Sequence, residues 1–125
     1  MNKYLGFSSS ADFYNCKADL NDNDMLHDLM YDAVNKAGCT AVGSVSHCYN
    51  PRGYSAVIII QESHLSVHTW PEHKMISIDT YVCGEESKIM VNKIISHFKE
   101  VLNPCSITEA EMFRGNKLFI EKINE

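Results

Sequence analysis

The sequence predicts an α+β fold, a two-layer α/β sandwich with a mainly antiparallel sheet and two helices on one face. Successive β-type segments between about residues 40 and 82 are separated only by short turns, which imply antiparallel pairing. Two segments, 24–37 and 86–102, repeat apolar residues at the helical period. Each of these helices has an apolar stripe, and one sheet face is the surface available to bury both.

In chain order, residues 3–14 read as a strand interrupted by serines. Asn21 or Asn23 is placed to cap a helix over 24–37, whose stripe is Met25, Leu26, Leu29, Met30, Ala33, Val34 and Ala37, with Gly38 as the stop. Residues 40–49 alternate and read as a strand, and Asn50-Pro51-Arg52-Gly53 is a turn by composition. The β-branched run 54–61 predicts a central strand. Residues 63–69 alternate again until Pro71. Met75 to Val82 places Ile76, Ile78, Thr80 and Val82 on one face, and Cys83-Gly84 closes that strand. The second helix has Ile89, Met90, Ile94, Ile95, Phe98 and Leu102 on its stripe and stops at Asn103-Pro104. One or two short strands are expected around 105–113 and 117–123. The sheet face without helices needs cover, which dimerisation would supply.

The 125 residues fit one domain, 1–125. Apolar content of 45% with 22% charged residues is that of a globular chain and not a disordered one. A net charge of -5 without a basic run argues against a phosphate-tracking surface, so no nucleic-acid partner is expected. No apolar run approaches the ~20 residues of a bilayer helix, and Met1 to Gly6 lead into Ser8-Ser9-Ser10 and not into an apolar leader core. A cytoplasmic protein with no membrane partner is expected. Its five cysteines, Cys16, Cys39, Cys48, Cys83 and Cys105, are odd in number and lack C-x-x-C spacing, so reduced thiols are expected instead of disulfides or a zinc site.

The richest chemistry lies in Glu62-Ser63-His64-Leu65-Ser66-Val67-His68-Thr69-Trp70-Pro71-Glu72, directly after the apolar run Ala56 to Ile60. Three readings compete. His64 and His68 would need a helical turn to share a metal, but on a strand they lie ~13 Å apart, so no metal is expected. Ser63, His68 and a carboxylate would make a hydrolase triad, although the G-x-S-x-G elbow is absent. Alternatively, Ser63 attacks its own backbone at Glu62-Ser63, and the resulting ester eliminates and hydrolyses to a pyruvoyl ketone. Composition alone does not choose among these.

The eleven-residue run, with Asp79, Cys83-Gly84 and the upstream His47-x-Tyr49-x-Pro51-x-Gly53-x-Ser55, closely resembles the short, single-domain bacterial-type S-adenosylmethionine decarboxylase proenzymes over most of the chain. The resemblance implies autocatalytic cleavage into 1–62 and 63–125, with Ser63 becoming the pyruvoyl group that takes up the substrate amine as a Schiff base. It implies His68 as the proton-transfer residue of processing, assisted by Ser55, and Cys83 as proton donor to the substrate carbon. Glu72 would hold the ribose hydroxyls. Tyr49, where the family usually has phenylalanine, would stack on adenine, with Leu65 lining the same pocket. The implied cofactor is this self-generated pyruvoyl group, without metal or pyridoxal phosphate. The implied substrate is S-adenosylmethionine, decarboxylated as aminopropyl donor for spermidine synthesis, and the implied assembly is a homodimer of cleaved protomers.

The chain departs from the family pattern at His73-Lys74-Met75-Ile76-Ser77, where a Gly-containing stretch is usual, at Gly6-Phe7-Ser8, which lacks a histidine, and in the tail 115–125. Two alternatives stand beside this reading: a pyruvoyl-dependent ornithine or arginine decarboxylase, and an uncleaved binding or regulatory homologue. Ideal strand geometry places Ser63 and His68 on opposite faces, so a bend near residue 63 or a group from elsewhere is needed.

Overall fold

Alternation along the central strands sets the layering. The computed structural model describes residues 3–124; Met1, Asn2 and Glu125, with the parts of the leader and cleavage-fragment readings that fall on them, lie outside the described residues. The elements are β1 (Tyr4–Tyr14), α1 (Asn23–Lys36), β2 (Ala41–Cys48), β3 (Tyr54–Ile60), β4 (Ser63–Trp70), β5 (Met75–Cys83), α2 (Ser87–Leu102), β6 (Ser106–Asn116) and α3 (Lys117–Ile123). A 3₁₀ turn, Pro71–His73, joins β4 to β5.

The strands form one six-stranded sheet in the order β2-β3-β4-β5-β1-β6, with every neighbouring pair antiparallel. One row of side chains from β1, β3, β4 and β5 is buried: Phe7, Phe13, Ile58, Leu65, Ile76 and Ile78 are among its members. Against it pack Leu26, Met30 and Val34 of α1 and Ile94, Phe98 and Leu102 of α2. The predicted α+β sandwich is therefore the observed one, with α3 as an additional short helix.

The intervening residues form the face that the two long helices leave bare. It is largely polar, and its groups pair across strands. Ser10 donates to Asp79 and Ser77 donates to Asp12, each at 2.6 Å between β1 and β5. Asp79 is thus occupied as a structural acceptor. Apolar Val45, Ile59 and Met112 are exposed between these polar groups.

Two local expectations are corrected. The cap of α1 is Asp22, whose carboxylate accepts the Met25 N–H at 3.0 Å. Asn23 is already inside the helix, and its amide donates to the Cys48 sulfur at 3.2 Å. The chain after α2 forms a single long strand, and residues 117–123 are helical. The Asn116 side chain accepts from Leu118 and Phe119 N–H, so a cap overrides the strand preference of the apolar run that follows. Replacing Asp22 with Ala is expected to cost about 1 kcal/mol. Urea titration should show a lowered midpoint for Asp22→Ala and a near-unchanged one for Asn21→Ala.

Candidate active site

β3 and β4 are joined by a two-residue turn, Gln61-Glu62, closed by the Ile60–Ser63 pair. Ser63 is therefore the first residue of β4, and the Glu62-Ser63 peptide bond leads out of the turn. The turn is tied to the entry of β2: Gln61 N–H donates to the Thr40 carbonyl at 2.9 Å, and Thr40 N–H donates to the Glu62 carboxylate at 3.1 Å. The Glu62 carbonyl accepts the Cys83 N–H at 2.9 Å. A fixed amide at that position polarises the carbonyl and stabilises negative charge that develops on its oxygen during attack.

By register Ser63 lies between Ile60 and Val82, in the row that faces the helices. Its φ of 156° departs from regular strand values, and its hydroxyl lies 3.2 Å from Nδ1 of His64, a residue of the bare face. The irregular backbone at residue 63 accompanies a hydroxyl that meets His64, and it does not bring Ser63 to His68. Tyr81 lies opposite His64, and Cys83 follows on the same face. This first cluster is Ser63, His64, Tyr81 and Cys83, built on the turn end of β4 and the last residues of β5.

A second cluster occupies the other end of β4. His68 Nδ1 and Ser55 Oγ are 2.5 Å apart, and Ser55 Oγ lies 3.2 Å from the Tyr49 hydroxyl. The His68 ring packs edge-on to Trp70 and Tyr49, with centroids at 4.1 and 5.5 Å, and His47 packs on Tyr49 at 4.6 Å. Glu72 is exposed in the 3₁₀ turn just beyond Trp70. A shallow depression of ≈ 310 Å³ beside this cluster is lined in part by His47, Ser55, Val57 and Ser66.

The predicted residues thus divide in two. Glu62, Ser63 and Cys83 converge at one end, whereas Ser55, His68, Tyr49 and Glu72 gather at the other. Five residues of strand put ~17 Å between Ser63 and His68 along one chain. The nearest imidazole to Ser63 is that of His64, which sequence reading treated only as a metal candidate. Leu65 is a correction. Its side chain is fully buried in the core on the helix-covered face, so it does not line a pocket on the bare face. Sequence reading also missed Tyr81 and Trp70, although the alternation of β5 and β4 already puts them on the faces of Cys83 and His68.

The thiols differ in character. Burial, then the neighbouring Cys105, pushes the Cys16 thiol from an ordinary 9.0 up to about 11. Burial, then the Glu62 charge, does the same to Cys39. Cys48, Cys83 and Cys105 are exposed and free.

Fold and site together define a class: single-sheet α+β proteins whose reactive groups stand on the sheet face that their helices leave bare. The comparisons narrow it. The S-adenosylmethionine decarboxylase family profile matches residues 8–115, so the chain belongs to that family. The S-adenosylmethionine decarboxylase proenzyme of Acidithiobacillus ferrooxidans is 37% identical over 112 residues, covering 89% of this chain and 83% of that one. The Persephonella marina proenzyme of the same name is 38% identical, covering 92% and 86%. The crystal structure of the adenosylmethionine decarboxylase from Aquifex aeolicus superposes with a TM-score of 0.83 at 32% identity, covering 91% of this chain and 93% of that one.

The raised thiols yield a prediction for pH. Between pH 9.0 and about 11 the unfolded chain has lost Cys16 and Cys39 protons that the folded chain retains. Stability should therefore fall as pH rises through that window. Iodoacetamide at pH 8, read by peptide mass spectrometry, should label Cys48, Cys83 and Cys105 and spare Cys16 and Cys39.

Proposed function

We propose that this chain cuts itself between Glu62 and Ser63 and then decarboxylates S-adenosylmethionine. The observation that carries the reading is the Glu62 carbonyl clamped by the Cys83 N–H, with the Ser63 hydroxyl on the adjoining residue and 3.2 Å from an imidazole nitrogen. In processing, the Ser63 oxygen bonds to the Glu62 carbonyl carbon while the peptide C–N bond breaks, and the hydroxyl proton passes through a base to the departing nitrogen. Loss of the Ser63 α-proton and rupture of its Cβ–O bond release the Glu62 carboxylate. Hydrolysis then expels ammonia and leaves a ketone at residue 63.

The residues present fit such a group: Ser63 ends a hairpin turn held from three directions, by Thr40, Ile60 and Cys83. When formed, the pyruvoyl ketone supplies the electron sink that decarboxylation requires. Cys83, whose backbone already touches the cleavage site, holds the proton for the substrate carbon. Aromatic faces at Tyr49 and Trp70 suit a sulfonium cation and a purine ring. Exposed Glu72 beside them is placed to accept hydrogen bonds from ribose hydroxyls. No metal enters this scheme. Five free thiols fit a reducing, cytoplasmic setting.

We further infer that a working site takes its two halves from two copies of the chain. His68 and Ser55 are ~17 Å from Ser63 of their own strand, too far for proton transfer. The bare sheet face bears both clusters at opposite ends, with exposed Val45, Ile59 and Met112 among them. An antiparallel pairing of two such faces sets the His68 end of one protomer against the Ser63 end of its partner. It also covers the face that the helices leave open.

Intact mass spectrometry of the purified chain should show fragments 1–62 and 63–125, the second with a pyruvoyl N-terminus. Ser63→Ala should remain whole, and carbon dioxide should be released from S-adenosylmethionine but not from ornithine or arginine. A persistently uncut wild-type chain sinks the processing reading, and release from ornithine or arginine alone replaces the substrate. For the shared site, His68→Ala and Ser63→Ala should each fail to cleave alone. Co-expressed with distinct tags, the His68→Ala chain should be cut, since the Ser63→Ala partner provides its histidine. No cleavage in the mixture would mean that His68 acts within its own chain.

A further inference from the structure

The Ser63 end of the bare face holds an aromatic ring that the mechanism above does not use. Tyr81 stands opposite His64 of β4, with ring centroids 6.2 Å apart, and opposite Ser8 of β1. The Arg114 guanidinium, reaching from β6, lies 4.9 Å from the Tyr81 ring centroid. Cys83 lies two residues further along the same face, opposite Gly6 of β1, and a Cβ built on Gly6 would lie 2.7 Å from Tyr81 Cε1 and 3.3 Å from Cys83 Cα, so the ring leans toward the residue that carries the thiol. The same Cβ would come within 2.6 Å of the Val82 carbonyl oxygen. The bare backbone of β1 thus leaves the space that lets the phenol reach toward the thiol.

We propose that Tyr81 is a positioning residue for the Cys83 thiol. Its O–H donates to the sulfur, holds the thiol beside the Glu62-Ser63 bond, and stabilises the thiolate that remains after the proton is given up. The inference rests on Cys83 as the proton donor of the proposed reaction. Hydrogen bonds to charged acceptors are worth more than neutral ones, so the interaction strengthens when the sulfur becomes an anion. Burial, and then the neighbouring Cys83, push the Tyr81 phenol above its ordinary range, with Arg114 acting in the opposite direction. Tyr81 therefore keeps its proton wherever the thiol is working, and the cation on its ring face polarises the O–H.

The other groups around the thiol are few. His64 of β4 and Arg114 of β6 both face the Tyr81 ring next to it. Beyond the end of β5, Glu85 pairs with Lys117 at 3.9 Å. Opposite on β1 stand Gly6 and Ser8, while Tyr4 stacks on Phe113. Glu62 turns its carboxylate to the Thr40 N–H.

The test is the pH dependence of Cys83 alkylation in the native full-length protein, followed by peptide mass spectrometry with iodoacetamide. In Tyr81→Phe the Cys83 profile should move to higher pH, with labelling at pH 8 slowed roughly three- to tenfold. Cys48 and Cys105 serve as controls and should keep their profiles. Self-cleavage should proceed, and the basic limb of the pH profile for kcat/KM should move in the same direction as the alkylation profile. An unchanged Cys83 profile in a folded Tyr81→Phe protein overturns the proposal, even if turnover falls. Should that variant expose Cys16 and Cys39, Arg114→Gln decides instead: a smaller shift in the same direction supports the coupling, and no shift overturns it. Alkylation needs no turnover, so an inactive wild-type enzyme would count against the decarboxylase reading and not against this contact.

Discussion

Antiparallel register across β3, β4 and β5 is the constraint on which the rest of the molecule depends. It pairs Ser63 with Ile60 on one side and Val82 on the other. The same register delivers the Cys83 N–H to the Glu62 carbonyl. A slip of one residue would turn Leu65, Val67 and Ile78 out of the core and send His64, His68 and Tyr81 into it. The core therefore enforces the site: burying the apolar row and presenting the polar row are a single event.

The same constraint underlies the proposal that a working site needs two copies of the chain. A strand of eight residues spans more than the reach of any side chain, and both its ends carry chemistry. At one end are a nucleophile and a clamped carbonyl. At the other are an imidazole bound to a serine hydroxyl and a set of aromatic rings. On the bare face neither end has a helix over it. In the proposed pairing, a second copy of the face, turned end for end, would bring the complementary parts together without altering either protomer. Exposed apolar residues on an otherwise hydrogen-bonded polar face fit the same account, since paired groups such as Ser10–Asp79 can be covered at little desolvation cost.

Two local features flank the reactive run. Lys74 holds a left-handed conformation, φ 52°, directly after the turn that carries Glu72, where glycine would be at ease. Tyr81 lays its ring over Gly6, the residue paired with Cys83. These positions lie beside the run from Glu62 to Glu72 without belonging to it.

Much of the architecture was legible because short-range physics wrote it. Period-3.6 stripes marked α1 and α2, period-2 rows marked β3 to β5, and the run from Glu62 to Glu72 marked the reactive segment. Legibility failed where a neighbour distant in sequence, or a single side chain, decided the outcome. Asn116 capped a helix where the apolar residues after it suggested a strand, and Asp22 took the cap that two flanking asparagines were equally placed to take. Leu65 belonged to the core because strand parity outweighs membership of a reactive run. The sequence by itself determined the residue types, the layering and the family, since these follow from pattern and local propensity. Only the tertiary structure decided which reactive groups meet. Their meeting depends on cross-strand register, and on the bare sheet face that two helices are too few to cover.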